Sequence, residues 1–100
     1  MNRVTIDELI NRLEQVLRHE RTREEFSDWA YQWMKQYENI DSFDWTASDE
    51  VIWSCLQTIY GMDLLETPSQ YLHNRSDLES WVTAFKKLKK IIIDYEKETS

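Results

Sequence analysis

A Thr or Ser followed three residues later by a carboxylate occurs four times just ahead of an apolar repeat: Thr5–Glu8, Thr22–Glu25, Thr46–Asp49 and Ser76–Glu79. Each pair can satisfy two of the backbone N–H groups that a helix start leaves without partners, so each marks an N-terminus. Four starts in 100 residues leave room for little else. Gly61 and Pro68 are the only residues of their kinds, too few for the turns of an all-β chain.

The apolar residues behind each start recur at helical spacing. Ile6, Leu9, Ile10, Leu13, Val16 and Leu17 form one stripe, with Val4 placed to staple onto Leu9, and predict a helix over about 6–19. Phe26, Trp29, Ala30, Trp33, Met34 and Tyr37 predict a second over 23–38, with Tyr31 off the stripe. Val51, Ile52, Cys55, Leu56 and Ile59 predict a third over 47–60, closed by Gly61 as a left-handed stop. Leu78, Trp81, Val82, Phe85, Leu88, Ile92 and Tyr95 predict a fourth over 77–97. Residues 61–75 lack a helical period, and Pro68 disfavours a helix through Thr67, so this segment reads as an irregular loop with room for a short extended piece near Tyr71. The expected architecture is all-α: a compact four-helix arrangement, with residues 1–100 forming one domain.

Chemistry is sparse. Cys55 lies on an apolar helix face without a histidine nearby in sequence, His19 sits where it can answer a helix C-terminal dipole, and His73 with Asp77 supplies two ligands where zinc needs more. No glycine-rich phosphate loop, His-Glu-x-x-His pair or nucleophile elbow occurs. The reading is of a protein that is not an enzyme and needs no metal or cofactor. A lone cysteine, with neither a signal peptide nor a long apolar run, fits the cytoplasm and no membrane association.

Charge carries more information. The net charge is −7, and residues 36–72 contain no lysine or arginine but seven carboxylates, while the rest of the chain is balanced. Rings that core packing does not claim fall in and beside this base-free stretch. Tyr31, Glu38, Asp41, Phe43, Asp44, Trp45, Asp49, Glu50 and Trp53 together have the composition of a protein-recognition surface, rigid aromatics bordered by charge. A basic protein is the expected partner. The four lysines Lys86, Lys87, Lys89 and Lys90 are read as solvating helix four or facing the acidic middle, and nucleic acid is excluded on the overall charge.

The pattern Arg23, Phe26, Trp29-Ala30, Ile52-Trp53, Leu56, Gly61, Asp63-Leu64, Tyr71-Leu72-His73, Asp77 and Trp81 resembles that of small, uncharacterised all-helical bacterial proteins over most of the chain. The resemblance implies a fold and an ancestry more than an activity. In size and acidity the chain is also similar to immunity proteins that block basic nuclease toxins, although the sequence motifs of the nuclease-colicin immunity family are absent. The expected function is therefore a non-enzymatic acidic protein-binding module, with toxin neutralisation as its sharpest form. The alternative is a structural or accessory helical subunit that self-associates through Ile91, Ile92 and Ile93 of helix four, since three consecutive isoleucines cannot all face one core.

Overall fold

Three of the four capping pairs read from the sequence form in the structure. A computed structural model describes residues 3–62, 65–67, 70–71 and 74–98. Helix α1 spans Ile6–Leu17, α2 Arg23–Glu38, α3 Ala47–Tyr60 and α4 Arg75–Glu98, with one 3-10 turn, Ser42–Asp44, between α2 and α3. At α1 the Thr5 hydroxyl accepts from the Glu8 N–H. At α2 and α3 both arms of the box are made, by Thr22 with Glu25 and by Thr46 with Asp49.

The fourth start differs from expectation. Helix α4 begins two residues early, and its box is Asn74 with Asp77: the Asn74 side-chain oxygen accepts from the Asp77 N–H, and the Asp77 carboxylate accepts from the Asn74 N–H. Asn caps as well as Ser, so Ser76 and Glu79 fall inside the helix, where Glu79 pairs with Arg75 at 3.1 Å. The stops differ too. Gly61 is not left-handed, with φ −89°. The left-handed residue is His19, φ 62°, which ends α1 two residues before the expected boundary. Its N–H donates to Val16 O and that of Glu20 to Gln15 O, the paired bonds of a Schellman stop built without glycine.

The helices close into a ring of neighbours: α1 packs on α2 and α4, and α3 packs on α2 and α4, so α2 and α4 stand at opposite corners. Side chains of one helix satisfy the last carbonyls of the next. Ser27 Oγ, buried in α2, donates to Tyr60 O at 2.8 Å, and Arg23 donates to Met62 O, so the start of α2 meets the end of α3. Arg75 of α4 donates to Leu17 O at 2.6 Å and thereby covers the end of α1. The core runs through all four helices and includes Leu9, Leu13, Ala30, Tyr37, Leu56, Ile59 and Leu78, with Met62 just beyond α3. Each fully buried Leu or Ile contributes about 1.5–3 kcal/mol relative to exposure.

The segment expected to be an irregular loop contains a small antiparallel pair, β1 Leu65–Thr67 with β2 Gln70–Tyr71, Leu65 opposite Tyr71 and Thr67 opposite Gln70. The expectations placed on Asp63, Leu64, Pro68, Leu72 and His73 lie outside the described residues. On α4 the expected stripe is buried at Leu78, Val82, Phe85 and Ile92, but Tyr95, one turn from the end, is exposed.

Candidate functional site

The acidic, aromatic stretch divides into a structural half and an exposed half. Asp49 is 3% exposed, and its two oxygens take the Arg3 Nε–H at 3.0 and 3.1 Å while one also takes the Thr46 N–H at 2.9 Å. Burial pushes the Asp49 carboxyl up, but the hydrogen bonds from Arg3 and Thr46 and the guanidinium charge outweigh it and hold the carboxyl below its ordinary value. Arg3 also donates to Asp44 O at 2.8 Å. Close by, the fully buried Tyr37 hydroxyl accepts the Val4 N–H, and burial raises the phenol above its usual range. These contacts pin residues 3–5 across the end of α2 and the start of α3. Arg3 and its role left no signal in the sequence pattern, since the residue stands 46 positions from its partner.

Trp45 and Trp53 belong to the same half. Six rings run in edge or tilted contact, Phe26, Trp29, Trp33, Tyr37, Trp45 and Trp53, with neighbouring centroids 5.6 to 6.5 Å apart. This spacing suits aromatic quadrupoles and holds α2 to the connector and to α3. Arg12 of α1 stacks over Trp29 at 4.3 Å, extending the ladder to a third helix.

The exposed half is dispersed. Phe43 is 95% exposed at the 3-10 turn, where Asp41 caps its N–H. Tyr31 lies midway along α2, edge-on to Tyr60 of α3 at 5.5 Å, with Lys35 over its face at 4.9 Å. The structure thus brings Trp45 and Trp53 together in the ladder and places Tyr31 apart from Phe43. Glu38, Asp41, Asp44 and Glu50 are exposed around the connector.

A second surface lies on α4. Residues 80–93 contain Lys86, Lys87, Lys89 and Lys90 without an acidic residue among them. Lys86 and Lys89 sit at the margin against α1, where Lys86 Nζ reaches Glu14 at 4.0 Å and Lys89 Nζ reaches Asp7 at 2.7 Å. Lys87 and Lys90 face solvent and form no ion pair with a described residue. Directly after these lysines Ile92 is buried, whereas Ile91 and Ile93 are 42% and 38% exposed.

Two open depressions flank these surfaces. One, of about 840 Å³, lies beside the α1–α2 link between His19, Arg21, Arg23 and Arg75, with Glu20, Glu24 and Glu25 interleaved. The other, of about 850 Å³, separates residues 3–7 and the start of α3 from Ile92, Ile93 and Tyr95 of α4. Among the described residues no group of three His, Cys, Asp or Glu side chains could hold a metal ion, and no helix is long and apolar enough to cross a membrane. Burial pushes the Cys55 thiol up to about 12, which leaves it without nucleophilic character at neutral pH.

Residues 2–85 match the model of a family described as YxzC DNA-binding protein. The chain is also 31% identical over 85 residues to the uncharacterized protein YxzC of Bacillus subtilis strain 168, covering 85% of this chain and 65% of that relative, whose length it therefore spans only in part. No solved structure matches. The family description overturns three expectations: a basic protein as partner, the exclusion of nucleic acid, and the acidic protein-binding or toxin-neutralising module. The error lay in judging phosphate repulsion from the total of −7, when the bases missing from residues 36–72 are partly gathered on one face of α4. The expectation of a small, all-helical bacterial family is met, and the chain belongs to the YxzC family.

Proposed function

We propose that this chain is a cytoplasmic, non-enzymatic DNA-binding module, folded as one domain, that meets the phosphate backbone with the outer face of α4. The observation that carries the reading is the acid-free run 80–93, whose exposed Lys86, Lys87 and Lys90 lie within about 6 Å of helix rise on a family member described as DNA-binding. Lysine is a point charge on a flexible stem, suited to phosphates that need not be met in a fixed geometry. Glu38 ends α2, which stands at the corner opposite α4, so this acid lies away from the α4 face.

The test is fluorescence anisotropy of a labelled 20-base-pair duplex titrated with protein at several salt concentrations. Three phosphate contacts give a slope of about −2.7 in log K against log salt, and an affinity of about 10⁻⁴ to 10⁻⁶ M at physiological salt is the range of charge-driven binding. Combining Lys86→Ala, Lys87→Ala and Lys90→Ala should flatten the slope toward zero while the helical circular dichroism is retained. Binding with an unchanged slope in this variant would refute the assignment to α4.

A further inference from the structure

The side chains around the lysines carry a consequence for what kind of DNA the face accepts. Reading a base edge takes a bidentate donor or acceptor, such as Arg on guanine or Asn or Gln on adenine, carried into the major groove by a helix that projects from its domain. Between residues 80 and 93 α4 presents Ser80, Thr83, Ala84, Lys86, Lys87, Lys90, Ile91 and Ile93 to solvent, with no Arg, Asn or Gln among them. The Thr83 hydroxyl is turned back onto Glu79 O at 3.4 Å.

Nor does α4 project. Leu78, Val82, Phe85 and Ile92 bury one stripe along its length, and it packs against α1 on one side and α3 on the other. On the α1 side Asp7 and Glu14 stand at the very lysines that border the face. A major groove about 12 Å wide has room for a helix with its side chains, but not for a helix flanked by a neighbour carrying carboxylates. Deeper entry would bring Asp7 and Glu14 toward phosphates on the groove wall. Contact is therefore limited to the outer phosphates, which carry charge but no sequence.

Resting on the DNA-binding reading above, we infer that the α4 face recognises duplex DNA by its phosphate backbone alone, so that the partner is duplex of any sequence. The small exposed Ser80, Thr83 and Ala84 let the backbone approach the helix on the side toward its N-terminus, and Lys86, Lys87 and Lys90 supply the counter-charge.

The experiment is selection from a duplex library with a randomised 20-base-pair centre, sequenced before and after successive rounds of binding to the whole chain. The affinities of the starting and final pools are measured alongside. The expected result is no enriched motif and pool affinities within about threefold of each other, against the ~10³-fold or greater preference of a sequence reader. Enrichment of a defined motif with a tenfold or greater gain in affinity would overturn the inference and leave DNA binding standing. Absence of binding by either pool would overturn both. The variant with Lys86→Ala, Lys87→Ala and Lys90→Ala separates the remaining cases: its loss of affinity for both pools supports the inference, and its retention of binding would overturn it by placing the contact elsewhere.

Discussion

Asp49 should be the most informative single position for stability, because one carboxylate serves both a helix cap and a long-range clasp. Replacing it with Ala removes the return arm of the α3 capping box, worth about 1 kcal/mol. It also removes the Arg3 pair. Exposed pairs contribute about 0.2–1 kcal/mol, and breaking a buried one costs about 3–5 kcal/mol. Asp49 is buried, but the Arg3 side chain is 36% exposed and can recover water when abandoned, so the pair falls between these limits at about 1–2 kcal/mol. Asp49→Ala should therefore cost about 2–3 kcal/mol, or about 10–20 °C in Tm for a domain of this size. Asp49→Asn keeps an acceptor for the Thr46 N–H and should cost about half as much.

Urea denaturation of wild type, Arg3→Ala, Asp49→Ala and the double variant closes a thermodynamic cycle, with an expected coupling of about 1 kcal/mol. The pH dependence gives an independent check. The folded carboxyl is held below the ordinary 3.8, so its contribution is fully present above that value and is lost as pH falls through the folded value. The stability gap between wild type and Asp49→Asn should narrow below about pH 4 and stay level between about pH 5 and 7. A coupling under about 0.3 kcal/mol, together with a gap that does not change with pH, would refute the clasp as a contributor to stability.

Three further outcomes follow from other positions. His19→Gly should raise stability by about 0.5–1 kcal/mol in urea melts, because the left-handed conformation strains a residue with a Cβ; His19→Val should lower it. Cys55, with its thiol pushed up to about 12, should react with a disulfide reagent at pH 8 only as fast as the protein unfolds, so labelling in native buffer should speed up in parallel with denaturant-induced unfolding. Asp7→Asn combined with Glu14→Gln frees Lys89 and Lys86 from their partners, and should tighten duplex binding at low salt and steepen the salt slope by about 1 to 2.

Helix number and type were legible because capping pairs and apolar stripes are local signals, readable within one or two turns. The misplacements came where two local signals competed. Asn74–Asp77 and Ser76–Glu79 overlap in sequence, and the earlier pair won because a start at Arg75 also puts its guanidinium on Leu17 O, a contact with another helix. Gly61 has the residue type of a left-handed stop, whereas His19 adopts that conformation. Residue type alone does not show that the N–H groups of His19 and Glu20 close back onto Val16 O and Gln15 O, the bonds that accompany the left-handed turn. Two members of the expected recognition surface have partners that the sequence hid for the same reason. Asp49 reads as an exposed acid until Arg3 arrives from the far end of the chain, and Trp45 reads as unclaimed until Tyr37 and Trp53 close on it from two helices.

Charge is the case in which the local quantity matters and the total misleads. At physiological salt the field of an exposed charge decays over about 8 Å. The molecule measures 47 × 26 × 20 Å, so its shorter dimensions are about 2.5 and 3.3 decay lengths. A phosphate beside Lys87 and Lys90 therefore responds to charges on α4 and the near side of α1, and only weakly to the acids on α2 at the opposite corner. Within that range lie Asp7 and Glu14, already held by Lys89 and Lys86, and the exposed Asp94, one helical turn beyond Lys90 on α4, so that Lys87 and Lys90 against Asp94 leave a local excess of positive charge. An overall −7 still has a role under the proposed function: it opposes long-range approach at low ionic strength, where the decay length grows to about 30 Å near 0.01 M salt. Two opposing salt effects follow. Lowering salt strengthens the phosphate contacts of α4 but also extends the reach of the distant acids, so the plot of log K against log salt should lose steepness at the low-salt end instead of remaining linear.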